Sequence, residues 1–529
     1  MDYSKESIDR QQKIQNMKDA GIICYANNFA WKQDIKNIRE TSESKLKEVD
    51  FLMENWSVGE FKTAGRIISS RGMWKLTFAK LRDNTWDIQV CFMRDKVDFN
   101  TGREIVKELE IAWEMKTAYK IAEKFCQVWD YIWIVWDLFL TKHGELTLFV
   151  REFQVLSKAV RPLPEKFHWV QDQETIYRQR YLDLIMNDES YNRFMFRSEF
   201  VKAIREFYWK NDFIEIETPV LGNSASGAAA QPFITHHNDF DEDYFLRIAP
   251  ETALKKATVG RFERVFEIWK NYRNEWSDPS HMQEFTAVEH YAVYWNFEDN
   301  MKFTEEMFEY VFSKLNMNKE VEINDKEWNA RMVNFTTPWQ RIDYVEWVNK
   351  ASWLDISSYE EWDEKILIAD IKAKWINFEW MDKMVVPTLI DYLYKKVLRP
   401  SITWPAFVYN YPKLMQPLAR QSDENENIVE QFQVVINGWE ILKAYSELVD
   451  PKLQTENFDA QSWAIELGDE EATSWDDDFV LAMEYWMPCQ SGWGMWIDRI
   501  ISLLTEQENL RDVVLFPLMK DDNNKEEEK

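Results

Sequence analysis

The spacing of hydrophobic and polar residues changes several times along the chain, and each change indicates a different kind of element. Residues 1–56 are polar and rich in Lys and Glu with scattered apolar positions, which predicts a helical extension. Residues 57–160 contain short alternating runs, including Lys75-Leu-Thr-Phe-Ala and Asp87-Ile-Gln-Val-Cys-Phe. This period of two is typical of half-buried strands. Only one stretch within them, about 104–126, has a helical pattern.

Several short strands with one helix predict a small β-barrel of the OB type over residues 57–160. Residues 161–189 begin with Arg161-Pro-Leu-Pro and are expected to form a stiffened linker. Strands and helices then mix without strict alternation from 190 to 520, with a mostly helical, acidic insertion at about 300–400. This order predicts an α+β fold with an antiparallel sheet. The charged tail, 521–529, is expected to be disordered.

The charge of the chain limits its partners. Its 64 Lys and Arg against 92 Asp and Glu give a formal charge of −28, which argues against indiscriminate nucleic-acid binding. An RNA docked on a local patch stays open. The N-terminus is polar, and no run approaches the roughly 20 apolar residues of a membrane span. Four cysteines without a CxxC pair indicate free thiols in a reducing compartment. We therefore expect a cytoplasmic protein.

The composition contains an anomaly. Glycine accounts for 13 of 529 residues and tryptophan for 27, whereas glycine ordinarily makes up about 7% of a chain. Trp74 and Trp86 lie where turns between strands are expected, and such turns favour residues that tolerate positive φ. We hypothesise that the codon UGA, one base from both UGG and GGA, encodes glycine in the source organism. The alternative is a protein that is truly rich in tryptophan.

Three segments combine residues that suit nucleotide and cation binding. Arg273 and Glu275 are two residues apart, so on a strand they share a face and could contact a phosphate and an adenine amino group. Arg499 follows Gly494-Met-Trp-Ile-Asp at a helix start. Glu440 and Glu447 lie near a tyrosine and could hold a divalent cation or an ammonium ligand. Taken alone, the first segment is more typical of a surface ion pair, the second of an ordinary helix start, and the third of solvated acids.

Together these segments resemble the signature motifs of class II aminoacyl-tRNA synthetases, with Phe213 to Leu221 as the first, dimer-forming motif. Several longer sequence segments resemble those of the bacterial-type lysyl-tRNA synthetases, and this resemblance extends from about residue 58 to Met519. The segments are LPEKFHW at 163–169, ETIYRQRYLDLI at 174–185, SGAAAQPFITHHN at 226–238, LRIAPE at 246–251 and YSELVDP at 445–451. In this family glycine usually stands at the positions of Trp74, Trp86, Trp169, Trp269, Trp276, Trp486 and Trp496, whereas Trp339, Trp439 and Trp493 can be genuine.

The resemblance implies ATP-dependent attachment of lysine to tRNA(Lys) through a lysyl-adenylate, with Mg²⁺ as cofactor and a homodimer as the assembly. It implies that Arg273 and Arg499 are catalytic and bind the phosphates of ATP. The other implied ATP contacts are Glu275, His281 and Phe285. The implied lysine site consists of Gly227, Glu251, Glu289, Tyr291, Tyr445 and Glu447. The implied anticodon contacts are Phe78, Gln89 and Glu145.

Two positions depart from the family pattern. Glu440 is the implied metal ligand, but Gln433 stands where a second metal-binding Glu is usual, which leaves the number of metal ions open. Lys443 stands where an Asn commonly lies near the substrate, and we expect its side chain to point away. Two other functions are compatible with the same fold. A binding or regulatory paralogue would not need the intact charged residues, and an enzyme that lysylates proteins would not need the barrel.

Overall fold

The computed structural model describes most of the chain. Its described residues are 4–29, 32–46, 61–141, 144–163, 172–224, 227–228, 230–324, 330–360, 362–378, 381–416, 418–466 and 476–521. They form two compact units, residues 1–165 and 166–529. Residues 164–171 of the predicted linker, including Trp169, and the tail beyond 521 lie outside the described residues. The described part of the predicted linker is largely helical, with helices at Gln173–Arg178 and Arg180–Met186.

The first unit is built around a closed barrel. Its strands are β1 (Phe61–Met73), β2 (Leu76–Arg82), β3 (Asp87–Met93), β4 (Asp98–Asn100), β5 (Ile105–Val106), β6 (Glu108–Ile111), β7 (Glu114–Thr117), β8 (Tyr131–Leu140) and β9 (Leu146–Ser157), and its helices are α1 (Lys5–Asp19), α2 (Ile35–Leu46) and α3 (Ala118–Phe125). Strands β1, β2, β3, β9 and β8 form a ring, because β1 pairs with both β2 and β8 while β9 pairs with both β3 and β8. This closure confirms the predicted OB-type barrel.

The N-terminal helices are part of this unit. Ile14 and Met17 of α1 and Ile35 and Ile38 of α2 are buried in the same core as the barrel strands. Helix α1 begins at the Ser4 cap, whose hydroxyl accepts from the backbone N–H of Ser7 at 3.1 Å. The predicted extension therefore gains its stability from apolar contacts with the barrel.

The prediction of one helix over 104–126 was wrong for most of that stretch. Strands β5, β6 and β7 come first, and only Ala118–Phe125 is helical. Leu109 and Ile111 alternate with glutamates, and this strand pattern outweighs the helix propensity of Glu, Leu and Ala. The hairpin between β6 and β7 turns at Ala112 and Trp113, both with positive φ.

The second unit contains the α+β domain. Its helices are α4 (Gln173–Arg178), α5 (Arg180–Met186), α6 (Asp188–Lys210), α7 (Glu251–Val259), α8 (Phe297–Lys314), α9 (Tyr344–Ser352), α10 (Glu364–Ala373), α11 (Val386–Val397), α12 (Pro451–Glu466), α13 (Asp477–Glu484) and α14 (Ile497–Leu504). Its strands are β10 (Ile214–Glu215), β11 (Leu221–Gly222), β12 (Ile234–His237), β13 (Glu242–Leu246), β14 (Arg264–Tyr272), β15 (Glu284–Val293), β16 (Glu320–Asn324), β17 (Ala330–Asn334), β18 (Gln340–Asp343), β19 (Ala406–Pro412), β20 (Ile428–Ile436), β21 (Trp439–Ser446) and β22 (Gln490–Trp496).

The main sheet runs in the order β10-β14-β15-β22-β21-β20-β19-β18. Its central pairs are antiparallel, and only the outer pairs β10–β14 and β18–β19 are parallel. The predicted antiparallel sheet is thereby confirmed. Helices α6 and α8 contribute Phe207, Met301 and Phe308 to the core that contains Val288 and Met495 of the sheet.

The acidic stretch at about 300–400 is less helical than predicted. Between helices α8 and α9 lie the paired strands β16 and β17 and then β18, which joins the edge of the main sheet. No helix in the described part of the chain is long and apolar enough to cross a membrane.

Candidate functional site

A cavity of about 720 Å³ opens on the main sheet between β14, β15, β21 and β22 and helices α7 and α11. It brings together most of the residues that the sequence singled out. Those that line it are Gly227, Glu251, Arg273, Phe285, Glu289, Tyr291, Gln433, Glu440, Tyr445 and Arg499. Glu275 and His281 lie in the segment between β14 and β15, outside this lining, and Glu447 is buried beside it.

Strand periodicity and two glycines create the space. Glu289 and Tyr291 are two residues apart on β15, and because successive side chains of a strand point to opposite faces, these two point to the same face. On β22 their partners are Gly494 and Gly492, which carry no side chains. A Cβ at Gly492 would overlap Glu447 Oε1 and would lie 2.5 Å from Tyr291 Cε1. A residue without a side chain is therefore required where Glu447 approaches the cavity.

One end of the cavity is acidic. We refer to Glu251, Glu289 and Glu447 as the acid cage. Tyr445 donates its hydroxyl to Glu251 Oε1 at 2.7 Å, and Tyr291 donates to Glu289 Oε1 at 2.8 Å. Burial raises the pKa of Glu289 to about 8, and the nearby Glu251 adds to this effect. Burial also raises the pKa of Glu447 well above its ordinary value, although Lys255 opposes that rise.

The sequence did not single out Lys255, which lies within the acid cage. Its ammonium contacts Glu251 Oε1 at 2.6 Å and also contacts Glu447 Oε2. Burial lowers the pKa of Lys255, but the two carboxylates outweigh burial and raise it. The signal was present, because Glu251 and Lys255 are four apart on α7 and therefore share a helix face. The cage thus holds three carboxyl groups and one internal ammonium.

The other end of the cavity is basic and aromatic. The guanidinium carbon of Arg273 lies 5.2 Å from the ring centroid of Phe285. The indole of Trp496 stacks on Phe285 with ring centroids 4.4 Å apart, and the guanidinium carbon of Arg499 lies 3.7 Å from the Trp496 ring. Arg499 also hydrogen-bonds His281 Nε2 at 3.1 Å. The Trp496 indole is therefore sandwiched between a ring and a guanidinium group.

Asp498 orients this end, a role that the sequence analysis missed. It is buried at the start of α14, where its Oδ1 contacts Arg197 Nη1 at 2.5 Å and its Oδ2 accepts from the Thr286 N–H at 2.7 Å. Arg197 also donates to the Thr286 hydroxyl at 3.0 Å. Residues from α6, β15 and α14 thereby fix the direction in which α14 presents Arg499. Burial lowers the pKa of Arg499 to about 10.

The candidate metal ligands, Gln433 and Glu440, also line the cavity. Gln433 Oε1 accepts from the Tyr411 hydroxyl at 2.8 Å, and the backbone carbonyl of Glu440 accepts from Arg499 at 3.0 Å. Within the described ranges, no three acidic, His or Cys side chains cluster to hold a metal by themselves. The Gln433 amide oxygen is already engaged by Tyr411, so the Glu440 carboxylate is the oxygen ligand that this pair offers, and a Mg²⁺ ion held there would take its remaining positions from phosphate oxygens and water.

Lys443 does not point away from the site, contrary to expectation. Its side chain lines the same cavity and donates to Gln416 Oε1 at 2.7 Å. On β21 it is opposite Gln433 of β20 and Gly494 of β22, so the strand register places it in the cavity wall. Burial lowers the pKa of Lys443, an effect that Glu440 and Glu251 oppose.

The candidate anticodon residues lie together on the barrel of the first unit. Phe78 on β2 and Gln89 on β3 are both half-buried, on strands that pair with each other. Gln89 Nε2 donates to the Thr147 hydroxyl at 2.8 Å, and that hydroxyl donates to the carbonyl of Glu145 at 3.2 Å. An aromatic ring beside polar side chains is the surface that unpaired bases stack on.

Comparison with known proteins gives a consistent result. The family model for tRNA synthetases class II (D, K and N) matches residues 172–520. The lysine--tRNA ligase of Clostridium novyi is 39% identical over 515 residues, covering 97% of this chain and 94% of that protein. The lysine--tRNA ligase of Magnetococcus marinus is 38% identical over 512 residues, covering 97% and 96%. That of Lactococcus lactis subsp. cremoris is 36% identical over 511 residues, covering 97% of each.

Proposed function

Because this chain belongs to the lysine--tRNA ligases of the class II aminoacyl-tRNA synthetases, we propose that it couples lysine to tRNA(Lys) through a lysyl-adenylate. The observation that carries the proposal is the cavity itself. It holds carboxyl groups at one end, guanidinium groups at the other, and space between them for a substrate that links the two.

The acid cage matches lysine by charge. Three carboxylates and the Lys255 ammonium give a formal charge of −2, and lysine brings two ammonium groups, on its α and ε positions. Buried carboxyl groups with raised pKa hold protons until cations replace them. A neutral side chain of similar length would leave a carboxylate uncompensated, which is costly in a buried site. In this proposal Glu251 holds the α-ammonium, Glu289, Tyr291 and Glu447 surround the ε-ammonium, and Tyr445 flanks the methylene chain.

At the basic end Arg273 binds the α-phosphate of ATP, and Arg499 binds the phosphates that leave. The lysine carboxylate attacks the α-phosphorus, a new O–P bond forms, and the bond to pyrophosphate breaks. Both guanidinium groups stabilise the negative charge of the transition state. Glu275 and His281 contact the nucleotide, and Phe285 stacks on its base. Mg²⁺ held by Glu440, with Gln433 beside it, would neutralise phosphate charge.

In the second step a terminal ribose hydroxyl of the tRNA attacks the carbonyl carbon, and AMP departs. Catalysis of both steps is positional and electrostatic, because no protein nucleophile is involved. Phe78, Gln89 and Glu145 read the anticodon. We place the reaction in the cytoplasm.

We also propose a homodimer formed through the segment from Phe213 to Leu221. Ile214 and Leu221 are 50% and 46% exposed, so two apolar side chains of this segment are available to a second copy of the chain. Light scattering on the purified protein checks the assembly, and a monomer at micromolar concentration would contradict it.

Lysine-dependent exchange of labelled pyrophosphate into ATP, without tRNA, tests the adenylate step. We expect exchange with lysine and none with norleucine, which lacks the ε-ammonium. Aminoacylation of tRNA(Lys) without detectable exchange would contradict the adenylate intermediate. Arg273→Ala should remove exchange, whereas Arg341→Ala, at an arginine of β18 outside the cavity lining, should not.

A further inference from the structure

We propose that Lys255 is a positioning residue: an internal ammonium that neutralises one carboxylate of the acid cage and orients Glu447 toward the substrate. This inference rests on the proposed function and extends it to a residue that contacts the cage from within helix α7. Lys255 is 1% exposed, so its ammonium is paired entirely inside the protein.

The surroundings of Lys255 are those of a bound ammonium ligand. Two carboxylates contact it, and its Nζ lies 5.7 Å from the ring centroids of Tyr291 and Tyr445 and 5.5 Å from that of Phe479. Aromatic rings and carboxylates are the groups that recognise alkylammonium ions. The protein thus supplies one such ion itself, beside the place that the substrate's ammonium would take.

Glu447 shows why the internal ion matters. It is 1% exposed, and among the described residues neither of its carboxylate oxygens has a hydrogen-bond partner; its Oε2 is in ion-pair contact with Lys255, and its Oε1 has no ion-pair contact. One oxygen is therefore fixed by Lys255, and the other stays available to a second cation. Without Lys255 the carboxyl group loses its fixed orientation, and the cage holds one negative charge too many for lysine.

Full-length protein carrying Lys255→Ala tests this role by chemical rescue. Propylammonium reproduces the atoms from Cγ to Nζ that the substitution removes. We expect the KM for lysine in pyrophosphate exchange to rise roughly tenfold or more, with little change in the KM for ATP. Propylammonium should restore the wild-type KM for lysine, whereas neutral 1-propanol should not. Lys255→Met fills the same space without charge and should resist rescue.

Lys256→Ala is the matched control, because Lys256 is on the same helix but pairs with Asp478 at the surface. A wild-type KM for lysine in Lys255→Ala, or equal rescue by 1-propanol, would overturn the proposal. If Lys255→Ala is unstable, the rise in its Tm that lysine produces, measured with and without propylammonium, provides the same decision: propylammonium should enlarge that rise and 1-propanol should not. Wild-type protein without lysine-dependent exchange would instead count against the proposed function, and the Tm measurement would still decide the role of Lys255.

A different observation carries a second inference: we propose that glycine replaces tryptophan in the natural protein at the left-handed turns and at position 496. Among the described residues, six of the sixteen non-glycine residues with positive φ are tryptophan, although tryptophan supplies only 27 of 529 positions. They are Trp74, Trp113, Trp129, Trp353, Trp375 and Trp486. Glycine adopts this conformation freely, whereas a bulky side chain is strained there.

Exposure supports the same conclusion. Trp113 and Trp375 are 93% and 96% exposed, so their indoles contribute almost nothing to packing. Trp339 and Trp493 differ from these exposed tryptophans in both burial and hydrogen bonding. They are buried, and their indole N–H groups donate to the Phe335 carbonyl at 3.1 Å and to the Thr304 hydroxyl at 2.8 Å. The chain therefore contains two populations of tryptophan.

Position 496 connects this inference to the site. Its indole fills the slot between Phe285 and Arg499 that the proposed function needs for the flat base of ATP. Glycine at 496 would empty that slot without disturbing the strand, because Gly494 and Gly492 already alternate with larger residues on β22. The reading of UGA as glycine would account for both the turns and the slot.

Peptide mass spectrometry on the protein purified from its natural source decides the matter. We expect glycine at 113, 375 and 496 and tryptophan at 339 and 493, with UGA codons at the first three and UGG at the last two. Tryptophan in the natural peptide that contains 375 or 496 would overturn the proposal, whatever the activity. In recombinant protein Trp496→Gly should enhance ATP binding, measured by calorimetry, whereas Trp493→Gly should lower stability without that gain.

Discussion

At the scale of the single residue, Glu289 has an unusually high pKa for a glutamate. Burial raises its pKa to about 8, so near pH 7 the carboxyl group is mostly protonated. A bound ε-ammonium reverses this preference, since an opposite charge at contact distance favours the ionised form. Lysine binding should therefore release a proton.

We expect the apparent affinity for lysine to rise about tenfold per pH unit below pH 8 and to level off above it, because only ionised Glu289 binds the cation strongly. The kcat/KM for lysine in pyrophosphate exchange, measured from pH 6 to 9, gives the slope. Glu289→Gln should lower lysine selection far more than ATP binding and should flatten the profile.

Glu284→Gln, at an exposed position of the same strand, is the control and should keep the wild-type profile. Equal losses of lysine and ATP binding in Glu289→Gln would refute the role proposed for Glu289.

At the scale of elements, a buried histidine joins two helices to two strands. His290 on β15 hydrogen-bonds the Tyr208 hydroxyl of α6 at 2.8 Å and the Asn300 amide oxygen of α8 at 2.9 Å. Asn300 donates in turn to Ser491 and to the Gly492 carbonyl of β22, at 2.8 and 3.2 Å. Such a satisfied network rigidifies the strand that carries Glu289 and the glycine that borders the cavity.

Burial lowers the pKa of His290 to about 3, below the ordinary 6.5, so the folded protein keeps this imidazole neutral. The unfolded chain takes up a proton below pH 6.5 that the folded chain cannot. His290 should therefore reduce stability as pH falls from 6.5 toward 3, by up to about 1.4 kcal/mol per pH unit.

Urea unfolding at pH 7.5 and pH 5.0 measures this effect. When the pH is lowered from 7.5 to 5.0, the free energy of unfolding of the wild type should fall by about 2 kcal/mol more than that of His290→Phe. His236→Gln alters an exposed histidine and should leave the wild-type difference unchanged. The same difference in wild type and His290→Phe would show that His290 is not the source.

At the scale of the whole molecule, the two units have separate cores. The barrel unit closes its sheet on itself and buries its own apolar residues, including Leu81, Val90 and Ile134. We expect a fragment of residues 1–165 to fold cooperatively, as followed by circular dichroism during thermal unfolding. The fragment 166–529 should keep lysine-dependent exchange but should lose tRNA charging by roughly 100-fold or more, because stacking on unpaired bases supplies much of RNA recognition.

Fragment 1–165 with Phe78→Ala should fold as well as its parent but bind an anticodon stem-loop more weakly. A fragment 166–529 that charges tRNA at the full-length rate would show that the barrel plays no part in recognition.

The sequence predicted the α+β class, the barrel and the lysyl-tRNA synthetase family correctly, because strand periodicity and long motifs are local properties. It failed where tertiary contacts decide. The segment 104–126 has helical composition, but the left-handed turn at Ala112 and Trp113 folds its first part into strands. The local spacing of Glu251 and Lys255 indicated an ion pair, but the role of Lys255 in the cage was missed because its second partner, Glu447, is distant in the chain. The direction of Lys443 depends on the register of β21.

Gly492 has a consequence for substrate length. If the substrate's side chain enters the acid cage, as proposed, the backbone of β22 beside Glu447 and Tyr291 would limit the depth of its site, and this depth would act as a ruler for the number of methylene groups. Gly492→Ala should shorten the ruler, since an added methyl group overlaps both neighbours. Lysine, with four methylenes, would then fit less well relative to ornithine, which is one methylene shorter. In the proposed function, the absence of a single side chain would thus distinguish between homologous diamino acids.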